Sequence, residues 1–214
     1  MDGSSGRIKM KIYDISMMLN DNTFVYKNKP EKKPRFIGNQ NNDVYETTMT
    51  FNLHTGTHFD APRHMIKTGK TIGEYELNRF ITPAQVLDFT DLTDKITAEH
   101  LKGKNIESGK FILFKTINSF RDYFDPGFVY LEQTGADHLR KLKIAGIGID
   151  ALGIERNQPH HDTHNILLKN NIIILEGLRL KDVPTGNYLL IALPLKLNEA
   201  EAAPTRAVLI KEAE

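Results

Sequence analysis

The chain contains no cysteine among its 214 residues, and its 28 basic and 27 acidic side chains leave a net charge of only +1. The absence of thiolates removes cysteine-ligated sites and argues against a closed structural zinc knot, leaving imidazole and carboxylate as the side chains suited to hold a metal. The missing thiols neither require nor exclude an oxidising compartment. Near-neutral charge provides no broad field for nucleic acid or an anionic membrane surface, so the expected partner is a small molecule. No apolar run approaches the length needed to span a bilayer, and no charged start is followed by an apolar signal core, which makes the cytoplasm the default location. Internal repeats and low-complexity segments are absent as well.

What is present is enough for a core. With 40% hydrophobic residues, a chain of this length is expected to form one domain over residues 8–214. Residues 1–7 begin with the polar, glycine- and serine-rich Met1 to Gly6 and read as a flexible lead-in or tag remnant.

Histidine is scarce, at eight residues, yet three of them stand beside an aspartate in His54-Thr55-Gly56-Thr57-His58-Phe59-Asp60-Ala61-Pro62-Arg63-His64. Imidazole nitrogen with carboxylate oxygen suits zinc, manganese or iron. Gly56 and Pro62 argue against a helix across this segment. The expected arrangement is a strand ending near Leu53, then a tight glycine-permitted turn that gathers His54, His58 and Asp60. The H-E-x-x-H metalloprotease pattern fails because Thr55 stands where its glutamate would be, leaving His64 as the nearest base. Any one of these residues alone fits ordinary turn chemistry, with Asp60 satisfying local amides; four together point to a shared ligand.

Elsewhere, Met10–Ser16 reads as a first strand, and the lysine-rich Lys29–Pro34 as a surface loop or flap. Val44–Leu53 alternates with period two and should deliver His54 directly. Val86–Phe89 and Phe111–Lys115 are further strands, with a short helix capped by Thr97 between them that leaves His100 on the surface. Thr134 opens a helix reaching about Lys143. The strand Ala145–Asp150 ends in an acid that either lines a site or caps a turn. His160 and His161 read as loop residues, the alternative being that they line a pocket mouth. A helix capped by Asp162 or Thr163 runs to Lys169 and is broken by Asn170-Asn171. Ile172–Leu175 is a strand buried on both faces, followed by Glu176, which either emerges into solvent or is buried against a cation. Tyr188–Leu193 and Ala207–Ile210 complete the strands. The class is α/β with a mixed, mainly β core and a few short helices.

These residues resemble the cyclase family of metal-dependent hydrolases, which includes bacterial kynurenine formamidases and isatin hydrolases. The family signature H-x-G-T-H-x-D-x-P-x-H is matched throughout by His54 to His64. Gly148-Ile149-Asp150, Asp162-Thr163-His164, Ile174 to Leu178, Ala192 to Lys196 and Pro204 to Leu209 resemble further family blocks, and Tyr13 to Ser16 gives a weaker one. The resemblance implies a compact swivelling β/β/α fold, a homodimer, and a site for one or two divalent ions, zinc ahead of manganese. In that site His54 and His58 hold one ion, His164 the other, and Asp60 and Glu176 are shared. It also implies His64 as the catalytic acid/base and hydrolysis of a non-peptide C–N bond in a small aryl-formamide or cyclic amide. A lactonase or dehydratase, and a non-catalytic metal- or ligand-binding module, are the alternatives. Two departures bear on the pocket. Tyr26 is followed by Lys27-Asn28-Lys29 where formamidases carry Pro-Gly-Asp, and Ala151 to Glu155 lacks their Ser-Leu-Asp-Pro pattern, with Asn165 replacing a second histidine after His164.

Overall fold

The structure is a computed structural model that describes residues 10–212; the expected lead-in over residues 1–7 lies outside them. Its centre is a mixed sheet in which strand follows strand until the sheet closes on itself. In chain order the strands are β1 (Met10–Asp14), β2 (Arg35–Asn41), β3 (Val44–Thr50), β4 (His58–Asp60), β5 (Ile81–Phe89), β6 (Lys95–Ile96), β7 (Phe111–Thr116), β8 (Tyr130–Leu131), β9 (Gly146–Ile149), β10 (Ile173–Glu176), β11 (Gly186–Pro194) and β12 (Ala202–Glu212). The main sheet runs β1-β12-β11-β5-β7-β9-β10-β4, and β4 also pairs with β12. Seven strands therefore close into a barrel, and β1 continues along the edge of β12 beyond the point where β4 leaves it. Closure removes the exposed edges that an open sheet would present.

The parallel strands β5, β7, β9 and β10 are connected through α1 (Ala98–Leu101), α2 (Gln133–Lys141) and α3 (Asp162–Lys169), which cover the outside of that wall. Their apolar character follows from burial on both faces. Inside the barrel, Phe59 packs on Phe80 and Phe111 with ring centroids 5.1 and 6.2 Å apart. Outside, Ile112, Phe114, Ile147 and Ile174 pack with Leu139 and Leu167 of the helices. Since successive side chains of a strand point to opposite faces, burying Phe59 inside sends His58 and Asp60 out toward the helical layer. Glu176 lies opposite His58 and Ile174 opposite Asp60 in the β10–β4 register, so Glu176 emerges on that same outer face.

Several expectations change. The alternating segment from Val44 does not deliver His54 as a strand: it stops at Thr50 and, among the described residues, pairs only with β2, in a hairpin whose β3 is exposed along its whole length. Alternation reported a strand but not the sheet to which it belongs, and β2 itself carried no recognised pattern. The Lys29–Pro34 segment is a loop containing a single 3-10 turn. The helix expected to open at Thr134 is capped two residues earlier, where the Glu132 carboxylate accepts the Thr134 amide at 2.9 Å. Asp150 caps a turn rather than lining the cluster, accepting hydrogen bonds from Thr116 and Ser119. Neither Asp162 nor Thr163 caps α3; His161 occupies the cap position in a left-handed conformation.

Candidate metal centre

Two turns position the cluster. The one before β4 contains Gly56 at φ +70, and the one after β10 contains Gly177 at φ +68, both in the region glycine occupies without strain. They abut so closely that a Cβ on Gly177 would stand 2.2 Å from the Gly56 carbonyl oxygen. Thr57 fastens the pair by donating its hydroxyl to the Gly177 carbonyl at 2.6 Å, while accepting the Met17 amide at 2.7 Å. The first residue of β4 and the last of β10 are thereby set side by side.

The structure brings His54, His58, Asp60, His164 and Glu176 together, with His64 beside them. His54 Nδ1 and His58 Nε2 lie 2.9 and 3.5 Å from Asp60 Oδ1, and His58 Nε2 lies 3.5 Å from Glu176 Oε2. On the other side, His164 Nε2 is 3.7 Å from both Asp60 Oδ2 and Glu176 Oε1. Each carboxylate thus turns one oxygen to the His54/His58 pole and the other to the His164 pole. The His64 ring sits 4.3 Å from that of His54 and 5.7 Å from that of His164, centroid to centroid.

This donor set fits divalent metal. Among the described residues, buried His58 Nε2 and both buried Asp60 oxygens make no well-aligned hydrogen bond, although His54 Nδ1 stands 2.9 Å from Asp60 Oδ1, an arrangement that costs several kcal/mol at about 1–3 per group unless something else satisfies them. Donors about 2.1 Å from a tetrahedral ion stand about 3.4 Å from one another, and four of the five separations above fall within a few tenths of an ångström of that. The second nitrogen of each imidazole is already held: His54 Nε2 by Glu201 at 3.2 Å, His58 Nδ1 by the Gly56 carbonyl at 2.9 Å, and His164 Nδ1 by Glu155 at 2.7 Å. Such outer partners fix tautomer and ring orientation in metal-binding histidines.

Electrostatics agree. Burial opposes ionisation of Asp60, yet the imidazoles of His164, His54 and His58 hold its carboxyl well below the usual range. Burial likewise opposes charge on His164 and His58, but the surrounding carboxylates raise both, His164 strongly. The cluster therefore favours positive charge at its centre. His64, farther from the acids, is lowered chiefly by burial.

The cluster opens into a cavity of about 590 Å³ lined by Tyr26, Lys27, Lys32, Met65, Arg156 and His161 among others. Tyr26 packs edge-on against Phe124, centroids 5.3 Å apart, while the ammonium groups of Lys27 and Lys32 lie 5.2 and 5.6 Å from its ring. His161 does line the mouth; His160 is exposed. Sequence reasoning missed Glu155 and Glu201. Neither lies within a motif, and each acts on a histidine through tertiary placement, Glu201 across 147 residues.

The Cyclase family model matches residues 13–156. The chain belongs to the Cyclase family. It is 32% identical over 206 residues to the kynurenine formamidase of Salinibacter ruber, covering 94% of this chain and 97% of that protein. Among solved structures, a potential metal-dependent hydrolase with cyclase activity superposes with a TM-score of 0.89 at 43% identity, covering 96% of this chain and all of that one. An isatin hydrolase bound to the product analogue thioisatinate shares the fold, with a TM-score of 0.84 at 24% identity over 95% of this chain and 93% of its own. The Cyclase match ends at Arg156, so His164 and Glu176 join the cluster from the segment beyond it.

Proposed function

We propose that the protein is a metal-dependent hydrolase that cleaves the C–N bond of a small aryl-formamide or cyclic amide. The observation that carries this reading is the set of buried, unpartnered donors on His58 and Asp60, facing Glu176 and His164 across ligand-sized gaps at the floor of a cavity large enough for an aromatic amide. His54, His58, Asp60, His164 and Glu176 are assigned as ligands, with Asp60 and Glu176 shared between two positions. A divalent ion held there would supply a water whose pKa is lowered to about 7 and would polarise a carbonyl oxygen. His64 is assigned as the acid/base: it borders both poles of the cluster, lines the cavity, and its imidazole makes no hydrogen bond among the described residues, which leaves it free to take a proton from water and return it to the departing nitrogen. Tyr26, backed by Phe124, offers the aromatic wall. Lys27 and Lys32 supply positive charge at the rim for an anionic substituent.

The same reading takes zinc ahead of manganese as the native ion, since nitrogen and oxygen donors suit both. It also takes residues 8–214 as one catalytic domain, a homodimer as the assembly and the cytoplasm as the location. The exposed Ile37 and Tyr45 of the β2–β3 hairpin support self-association. No helix of the described residues is long and apolar enough to cross a membrane.

The test is a screen of metal-stripped and zinc- or manganese-repleted protein against N-formylkynurenine, isatin and assorted cyclic amides, with products weighed by mass spectrometry. Turnover that appears on repletion and adds one water to the substrate is expected. Turnover that survives complete removal of metal would overturn the reading.

A further inference from the structure

Glu155 is 5% exposed and lies outside the ligand set, yet its carboxylate is among the most heavily engaged polar groups of the site. Oε1 receives His164 Nδ1 at 2.7 Å and His161 Nδ1 at 2.8 Å. Oε2 receives the Thr163 amide at 2.9 Å, the Gln158 side-chain amide at 3.0 Å and the His164 amide at 3.4 Å. The two oxygens thus do different things. One anchors the first turn of α3, replacing the side-chain cap that His161 does not provide. The other reaches past that turn to the imidazole that the turn carries.

We propose that Glu155 is the positioning residue for one pole of the metal centre: it accepts the Nδ1–H of His164 and so holds Nε2 toward Asp60 Oδ2 and Glu176 Oε1. The assignment rests on the metal-centre reading above. Its reasoning is local. An imidazole that donates from Nδ1 to a carboxylate has only Nε2 left to bind with, and its ring cannot flip without abandoning a charge-assisted bond. Tying the same carboxylate to the α3 amides makes ring orientation and helix position one constraint. The other pole is held differently, with His54 and His58 oriented by Glu201 and by the Gly56 carbonyl. A defect at Glu155 should therefore be felt at one pole only.

Glu155→Gln keeps the volume but has a single acceptor oxygen, so either the imidazoles or the α3 amides face an NH2 group. Zinc binding to metal-stripped protein, measured by competition with a chromophoric chelator, would be compared for wild type, His58→Ala, His164→Ala and Glu155→Gln, with cobalt absorption spectra as a second readout. Glu155→Gln is expected to weaken the binding step that His164→Ala weakens, by about 10–100-fold, and to spare the step that depends on His58. In the His164→Ala background it should add no further loss. Apo-protein melting would be recorded in parallel, and if Glu155→Gln does not fold, Glu155→Asp, which keeps both oxygens on a shorter arm, takes its place with the same expected selectivity. A folded variant that binds zinc as tightly as wild type, or that weakens both steps alike, would overturn the assignment while leaving the metal centre standing. A wild-type protein that binds no ion would overturn both.

Discussion

Replacing Gly177 with alanine should damage the histidine–carboxylate cluster without touching any of the side chains proposed as ligands. The new Cβ would stand 2.2 Å from the Gly56 carbonyl oxygen and 3.2 Å from the Thr57 amide nitrogen, both backbone atoms that cannot rotate away. Restoring ordinary contact at about 3.4 Å requires the two turns to part by roughly 1 Å. Part of the cost is conformational, since alanine at φ +68 loses about 1–2 kcal/mol relative to glycine. For a domain of this size that corresponds to a fall of roughly 2–8 °C in melting temperature, before any clash is counted. The chemical effect should be larger, because His58 follows one turn and Glu176 precedes the other. A displacement near 1 Å at catalytic groups can cost on the order of 100-fold in rate. Gly103→Ala is the matched control: its φ is +80 but nothing lies within 4 Å of the added carbon, so it carries the strain without the collision. Calorimetry of both variants, with zinc affinity by chelator competition, separates the two contributions. If Gly177→Ala binds zinc as tightly as Gly103→Ala and melts with it, the abutting turns do not hold the donors in place.

Other outcomes follow from individual groups. His64→Ala should lose about 100-fold or more in turnover while binding zinc normally; equal turnover with a responsive substrate would remove it from the mechanism. Lys27→Glu should raise KM for an amide bearing a carboxylate and leave KM for an uncharged one nearly unchanged, and an equal change for both substrates would exclude a charge-recognition role. Burial pushes the Asp150 carboxyl up to about 6 from 3.8 despite its hydrogen bonds to Thr116 and Ser119. The native state therefore holds a proton that the unfolded chain releases, and this group's contribution is full below about pH 3.8 and lost as pH rises through 6. The difference of about 2 pKa units corresponds to roughly 3 kcal/mol. Wild type should accordingly lose more stability than Asp150→Asn between pH 4 and 7 in denaturant titrations, and parallel pH profiles would contradict this. Phe59→Ala, which empties the barrel interior behind His58 and Asp60, should cost about 3–5 kcal/mol in the same assay.

The cluster was legible where its chemistry is local. His54, His58 and Asp60 are near neighbours in the chain, and Gly56 supplies the turn that folds them together, so spacing and residue type reveal their common purpose without a tertiary structure. The four apolar residues Ile172 to Leu175 announced β10 for an equally local reason, since only a strand covered on both faces tolerates such a run. Glu176 was ambiguous because its fate depends on what β10 pairs with. An acid after a buried strand points to solvent or to a cation according to its neighbour, and the neighbour, β4, lies more than a hundred residues earlier in the chain. The hairpin shows the same limit from the other side: Tyr45, Thr47 and Met49 alternate as a half-buried strand should, but their partner β2 leaves both faces of β3 open.

Glu155 and Glu201 were the least legible, and the reason is instructive about the site itself. A ligand must be a particular residue type at a particular spacing, whereas the acceptor behind a ligand need only place one oxygen near one ring nitrogen. The three histidines illustrate this freedom: one is backed by a backbone carbonyl two residues away, one by a glutamate in the loop before α3, and one by a glutamate just before β12. A backbone acceptor leaves no trace in residue identity at all. The orientation of the donors is thus set by the closure of the barrel, which brings β12 against β4, and by the packing of α3 on its outer face, while the motif itself specifies only which atoms are available to be oriented.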